Sequence, residues 1–574
     1  MTRSFSALAA ALGLATASLT GCTPVASVHT PAAPPSVAAL VAAAPAPALA
    51  ALDSATMSRH LAMLASDAFE GRGTGTLGEE RTVEYVAAQM RAAGLQPGMP
   101  DGTFFQQVPL LGSTPQNVTP LRLSKGDQTE SFTFVRDFTV ATDLDAGHAM
   151  AGGEIVFVGY GIANAGYRWD DYKDVDVRGK ILVAFVNDPP QTDAEPNLFQ
   201  ADTLTYNGRW TYKQEEARRR GAKALFLIHT APTAGYPFQV LSATATREQI
   251  QLATPPQNPL TLKGWITMPT AQRLAQMAGT TLDAWFEAAA RRDFRPQNTG
   301  VRLSVMSDFA VRRFNGTNVV GKIPGTTRAG ESVLYTAHHD HLGKNEQMIA
   351  DGRDGIYNGA VDNASGVAML LTLAKAWAAT PRPARTLYFA SVTAEESGLL
   401  GSAYYAQHPA APMVGTVADL NVDSGNLFGR TTDIVGLGAE RSELAGLLSR
   451  AAAAEGMSVT GDPNPNAGLY FRSDQLSFAR VGVPGVFFNT GKTFVGQEPG
   501  YAARIEAEYT AQRYHQPSDE ILPGMKYGGA VQQMRVAYRM GYALAMSNMR
   551  PAWRSGEAFG ETRAAMEQAA GLRP

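Results

Sequence analysis

Apolar and polar positions along the chain follow two different periods. Residues 57–64 and 79–93 repeat their apolar positions every three to four residues, which predicts two helices. Between them GRGTG at 71–75 breaks the pattern and predicts a loop. It lacks the Lys-Ser/Thr ending of a phosphate-binding loop and no clear strand precedes it, so that chemistry is set aside. From about 149 to 292 the texture changes to strand-like runs at 153–160, 180–186 and 224–228 with a helix over 213–221, which predicts a β-rich module with an embedded helix. From about 318 to 548 strands at 332–337, 386–392 and 417–422 alternate with helices at 366–378 and near 399–407. That order predicts an α/β fold, a mixed, mainly parallel sheet flanked by helices. In such sheets the working residues gather beyond the carboxyl ends of the strands.

The two ends read differently. MTRSFSALAAALGLATASLTGC carries one early charge, Arg3, and then an uncharged run ending at Cys22, the pattern of an export signal. The run is short and Ala-rich, which favours a cleaved signal peptide over a permanent membrane span. From 23 to 51 the residues are mostly Ala, Pro, Val and Ser with almost no charge, as in an extended, semi-rigid spacer.

Composition narrows the classes further. A length of 574 residues favours two or three domains, and 45% hydrophobic with 18% charged residues is the balance of a globular chain. A net charge of -3 without a long Lys/Arg run argues against nucleic acid as a partner. With Cys22 as the one cysteine, no intrachain disulfide forms, and stability does not rest on disulfides.

Candidate chemistry sits at the predicted strand ends. YTAHHDHLG at 335–343 puts three of the nine histidines within four positions directly after an apolar strand. Residues two apart on a strand share a face, so His338 and Asp340 point at one site and His339 points away; a solvated histidine-rich turn is the alternative. Asp362 lies in NGAVDNASGVAML, where Asn363, Ser365 and Gly366 supply turn and cap chemistry, and taken alone it is an ordinary helix-start residue. Glu395 and Glu396 are adjacent carboxylates after a strand, which repel unless a cation or a shared proton relieves them; an exposed acidic pair has no such need. Asp423 follows the strand VADLNV and His515 lies in RYHQPSDE. Together His338, Asp362, Glu396, Asp423 and His515 offer imidazole and carboxylate donors without thiolate, which suits a hydrolytic zinc site that keeps a position open for water.

In this order the segments AHHDHLG, VDNASG, TAEESGLLGS, NVDSGN, FRSDQLSFARVGVPGVFF and YHQPSDE resemble the co-catalytic zinc exopeptidases related to bacterial leucyl aminopeptidases. The resemblance implies the zinc exopeptidase fold and two Zn2+, one on His338 and Asp423, the other on Glu396 and His515, with Asp362 bridging. It implies peptide hydrolysis by a metal-bridged hydroxide, with Glu395 as general base and Asp340 orienting His338. Tyr514 is the implied oxyanion donor, with Tyr470 in reserve. Arg472 either orients a substrate carbonyl or carboxylate or pairs with Asp474. Two features depart from the pattern: Gln475 stands where many relatives carry histidine, which bears on substrate contacts, and His339 and His341 are rival donors beside His338.

Two further resemblances complete the expectation. DVRGKILVAFV at 176–186 and EEARRRGAKALFLIH at 215–229 resemble the protease-associated domain inserted in many exopeptidases, with a generic αβ insertion as the alternative. LTGC at 19–22 resembles the bacterial lipobox, so Cys22 is the expected lipid anchor of an exported protein facing the periplasm or the cell surface. The expected organisation is a signal peptide at 1–22, a linker at 23–51, the first part of a peptidase domain at 52–148, the insert at 149–292, the catalytic domain at 293–550 and a tail at 551–574. The expected activity is that of an aminopeptidase. A carboxypeptidase or dipeptidase shares the same metal set, a glutaminyl cyclase usually works with one zinc, and a metal-free binding lipoprotein predicts broken ligands where all five donors are present.

Overall fold

The computed structural model describes residues 35–192, 195–200, 203–230 and 237–572. The signal segment, Cys22 and the beginning of the Ala/Pro-rich stretch lie outside the described residues.

Twelve strands explain how the site is built: β1 (Phe105–Gln116), β2 (His148–Phe157), β3 (Ile181–Phe185), β4 (Ala224–His229), β5 (Leu262–Thr267), β6 (Gln297–Ile323), β7 (Arg328–His338), β8 (Arg385–Val392), β9 (Thr416–Val422), β10 (Asp433–Leu437), β11 (Ser458–Thr460) and β12 (Gly485–Asn489). All belong to one mixed sheet, in the order β5-β4-β3-β2-β6-β8-β7-β9-β12-β10-β11, with β1 added along β6. The pairings β5 to β2 are parallel, as are β8-β7-β9-β12. Between these two blocks runs β6, 27 residues long and antiparallel to both neighbours: Gln297 to Asp308 pair with β2, and Val319 to Ile323 pair with β8.

Burial follows the pairing. β8 and β9 are buried at every position, as expected of central parallel strands covered on both faces. Helices α1 (Val37–Ala42), α2 (Ala46–Ala51), α3 (Ser54–Leu64), α4 (Leu77–Ala92), α5 (Trp210–Arg219), α6 (Ser365–Ala378), α7 (Leu400–Gln407), α8 (Gly528–Met546) and α9 (Ala558–Ala569) include those that cover them. α6 is buried around nearly its whole circumference, which a helix with so few polar positions requires. Its Trp377 lies 4.8 Å from Tyr538 of α8 and donates its Nε1 hydrogen to Tyr335 Oη at 3.1 Å. Tyr335 in turn stacks on Phe389 of β8 at 5.0 Å. α3 begins where Asp53 Oδ1 accepts the Thr56 N–H at 2.7 Å, satisfying one of the unpaired donors of a helix start.

Two expectations need correction. Residues 36–51 are not an extended spacer: α1 and α2 fold onto the core and bury Leu40, Val41, Ala48 and Leu49. Pro47 sits within the first two positions of α2, where its missing N–H costs nothing, and the near absence of charge that suggested a spacer makes the segment an apolar cover. The region after 551 is likewise no loose tail. α9 packs against the body, and Arg563, almost fully buried, donates to the carbonyls of Thr416 at 3.1 Å and Val414 at 3.1 Å.

Candidate metal centre

Strand register brings the candidate donors together. His338 ends β7 opposite Val392 of β8, and Thr336 of β7 lies opposite Asn421 of β9, so the three strands finish level with one another. Their exits carry His338, the Glu395–Glu396 turn and Asp423. Asp362 enters from the turn ahead of α6, and His515 from the segment after the helix Tyr501–Gln512. Ala394, Ser424 and His515 all hold positive φ, at 53°, 71° and 59°. Non-glycine residues in that region cluster where surrounding structure overrides local preference, as at functional sites.

The geometry centres on Asp362. Its Oδ1 lies 3.4 Å from His338 Nε2 and its Oδ2 lies 3.3 Å from His515 Nε2. Asp423 Oδ1 is also 3.4 Å from His338 Nε2, Glu396 Oε2 is 3.1 Å from His515 Nε2, and Glu395 Oε2 is 4.0 Å from His338 Nε2. Grouping nearest donor atoms alone gives His338, Glu395 and Asp423 on one side and His341, Asp362 and Glu396 on the other. The second set competes with His515. Each ring keeps a buried Nε2 without a hydrogen bond, but His341 Nδ1 is already in a 2.6 Å hydrogen bond with Glu396 Oε1, whereas His515 Nε2 faces two carboxylates, Asp362 at 3.3 Å and Glu396 at 3.1 Å. His515 is therefore the better second imidazole donor, and His341 supports Glu396 from outside.

The electrostatics fit a cation. Burial disfavours the charged His338 imidazole, but Glu395, Asp423 and Asp362 outweigh it and hold its pKa well above the usual range. His515 is likewise pushed up to about 11 by Glu396 and Asp362 against its burial. Asp362, despite burial, is held well below the ordinary carboxylate range by His338 and His515, and Glu396 is drawn to about 2 chiefly by His515. Glu395 goes the other way, raised by burial and by Glu396 and Asp423. A cluster that draws positive charge onto its imidazoles, and has carboxylates to spare, is matched to divalent metal. The donor types suit zinc, so the residues present fit the group that the motifs imply.

Supporting contacts fix these donors. The two-residue period holds at the end of β7: His338 faces the site, while His339 turns away to Ser391 Oγ at 3.0 Å and Glu79 Oε1 at 3.6 Å. Asp340 behaves differently from expectation. Its carboxylate is 3.8 Å from His338 Nδ1, which lies nearer the Asp340 backbone oxygen at 3.2 Å. The carboxylate instead accepts the N–H groups of Glu395 at 3.0 Å and Glu396 at 3.3 Å, holding the acidic turn.

Two further residues do similar service: Asn363, expected to supply turn and cap chemistry, and Asp519, which had no expected role. Asn363 donates to the carbonyls of His338 at 3.3 Å and Val422 at 3.2 Å and accepts from the N–H groups of Gly366 and Ser424, both at 2.9 Å. Asp519 accepts from the Asp362 N–H at 3.1 Å. Asn363 and Asp519 both lie inside quoted motifs, VDNASG and YHQPSDE, which is the signal that pointed to them.

The expected substrate residues divide. Tyr514 is part exposed and stacks on the His515 ring at 3.9 Å. Tyr470 is buried under Arg441, whose guanidinium lies 4.9 Å from its ring, a packing role. Arg472 is exposed, and the fully buried Asp474 has no hydrogen-bond partner on either oxygen, so the two are not paired. Gln475 is also fully buried, donating to the Tyr470 carbonyl at 2.5 Å and accepting from Asn421 at 2.8 Å. Its partners are thus Tyr470 and Asn421, the latter also bonded to Ser473.

Residues 318–530 match the model of Peptidase family M28. Among curated proteins, Aminopeptidase NAALADL1 of Mus musculus is 29% identical over 167 residues, 26% of this chain and 20% of that protein. A probable zinc metalloprotease of Pyricularia oryzae is 48% identical over 109 residues, 19% of this chain and 20% of that protein. The chain thus spans about a fifth of the length of these two relatives. Among solved structures, an aminopeptidase from Aneurinibacillus sp. strain AM-1 is 17% identical, with 88% of this chain and 97% of that chain covered at a TM-score of 0.47.

Proposed function

We propose, from the match of residues 318–530 to the model of Peptidase family M28, that the chain is a zinc-dependent aminopeptidase that removes N-terminal residues from peptides. The observation that carries this reading is Asp362, whose two oxygens face His338 at 3.4 Å and His515 at 3.3 Å, the arrangement of a carboxylate shared between two ions. His338 and Asp423 would hold one zinc and Glu396 and His515 the other, with Asp362 available to both. When bound, the pair supplies Lewis acidity and brings the pKa of water toward about 7.

The remaining steps fall to this chain's own groups. Glu395, on the same turn as Glu396 and 4.0 Å from His338 Nε2, takes a proton from the attacking water and returns it to the leaving amine. Tyr514, at the mouth of the site on the His515 ring, donates its hydroxyl to the developing oxyanion. Arg472, exposed and free of Asp474, meets the substrate carbonyl or carboxylate. Residues 149–292 act as a protease-associated insert, and the chain is exported and held at a membrane through lipidated Cys22.

Hydrolysis of matched free-amine and N-blocked peptides by the chain beginning after Cys22, with metal content determined on the same sample, tests the proposal. Cleavage confined to free-amine substrates with two extractable zincs supports it. Zinc without cleavage, or release of residues only from the carboxyl end, overturns it.

A further inference from the structure

The GRGTG loop at 71–75 has no part in the chemistry above, yet it touches the segments that carry His338 and Asp362 and reaches a third, Glu395–Glu396, through Asp340. Arg72 is fully buried and holds φ at 50°, a conformation few non-glycine residues adopt. All its described hydrogen bonds go to backbone carbonyls: Nε to His339 at 2.8 Å, Nη1 to Leu64 at 2.7 Å and Asn358 at 2.6 Å, and Nη2 to Gly359 at 3.0 Å. These acceptors follow a pattern. His339 stands between His338 and Asp340, while Asn358 and Gly359 lead directly into the turn that presents Asp362.

The rest of the loop acts alike. The Arg72 carbonyl accepts the His341 N–H at 3.2 Å, and the Gly71 carbonyl accepts that of Gly343 at 3.0 Å. Thr74 Oγ1 donates to Asp340 Oδ2 at 3.3 Å, and Asp340 in turn holds the N–H groups of Glu395 and Glu396. The glycine at 71 is obligatory: a Cβ there would lie 2.3 Å from the Gly343 carbonyl oxygen, and φ is +65°.

We infer that the 71–75 loop, through Arg72 and Thr74, is the positioning element of the metal centre, clamping the His338, Asp362 and Glu395–Glu396 segments in the spacing that two ions require. The inference rests on the proposed function. A planar guanidinium is suited to this task because its donors are fixed in a fork, and a lysine keeps the charge without the fork. The clamp lies outside the family-matched segment 318–530, so that segment by itself lacks the residue that gathers its donor loops.

The test measures zinc stoichiometry and affinity by chelator competition, together with kcat, KM and the unfolding midpoint of the metal-free protein, for the wild-type chain, Arg72→Lys and Thr74→Val. The expected result is a loss of about tenfold or more in affinity for at least one zinc, and a fall in kcat with KM little changed. The metal-free midpoint of Thr74→Val stays close to wild type. Variants that bind zinc and turn over like wild type, whatever their midpoints, overturn the inference and leave the functional reading standing. A wild-type chain that binds no zinc removes both. If Arg72→Lys does not fold, Thr74→Val decides the outcome.

Discussion

Ser473 Oγ donates to Asp423 Oδ2 across 2.6 Å, leaving Oδ1 of the same carboxylate 3.4 Å from His338 Nε2. The hydroxyl thereby fixes which oxygen turns inward, and Asn421 Nδ2 fixes the hydroxyl from behind at 2.8 Å. Ser473→Ala leaves Asp423 free to rotate. The expected effect is a loss of roughly tenfold or more in zinc affinity or activity, measured by chelator competition, with a change in unfolding free energy of only about 1 kcal/mol.

Glu395→Gln keeps the size of the side chain and removes its ability to hold a proton in transit. Zinc content is expected to remain at the wild-type level while kcat falls by roughly 10²–10⁴-fold. Parallel metal analysis and steady-state kinetics check this, and an active variant removes Glu395 from its assigned role.

Metal removal is expected to abolish hydrolysis and to lower the unfolding temperature, because an ion that binds only the folded chain stabilises it by about 2.7 kcal/mol at a hundredfold excess over Kd. Calorimetry before and after chelation, followed by zinc add-back, reads both effects. Restoration of one without the other separates structural metal from catalytic metal.

Away from the site, Asp143 is buried between Arg218 of α5, whose Nε lies 2.6 Å from its Oδ2, and Lys263 of β5, whose Nζ lies 2.7 Å from its Oδ1. Burial would raise its pKa, but the two cations outweigh it and bring the carboxyl down to about 2. A depressed carboxyl stabilises the fold above its unfolded pKa of about 3.9, and that stability is lost as pH falls toward about 2. Asp143→Asn is expected to cost about 3 kcal/mol at neutral pH, since two partly buried cations lose their buried partner. The gap between variant and wild type in denaturant titrations should narrow on acidification through that window.

The docked amino-terminal helices set a limit on truncation. A chain beginning at Asp53 loses the burial of Leu40, Val41, Ala48 and Leu49 and strips the carbonyls of Val41 and Leu49 from Arg539 and Arg535, which they accept from at 2.7 and 3.1 Å. At about 1.5–3 kcal/mol for each large apolar side chain exposed, the loss is several kcal/mol.

The sequence was most legible where one period dominated. Strands 332–337, 386–392 and 417–422 are mostly apolar and correspond to β7, β8 and β9 to within a few residues, and His338, Glu395, Glu396 and Asp423 follow directly from where those runs end. The spacer reading of 36–51 failed because low charge and high Pro content describe both a solvated linker and an apolar cover, and only the surface it meets separates them. Arg72 was hidden for a related reason. Its partners are carbonyl oxygens, which every residue has, so no side-chain pattern in the sequence announces the contact. Asp340 lies 3.8 Å from His338 Nδ1, but its carboxylate accepts from the N–H groups of Glu395 and Glu396 and the Thr74 hydroxyl, contacts that residue spacing does not encode.

The 27-residue strand β6 has a consequence for how the molecule responds to heat and force. Its first half is an interior strand of the β2–β5 block and its second half pairs with the strand that leads to Glu395 and Glu396. With no flexible connection inside it to act as a hinge, the two blocks cannot rock independently, and peeling one away tears hydrogen bonds from the strand that holds the other. Melting of the β2–β5 block and loss of the Glu395–Glu396 turn are thus expected as a single cooperative event.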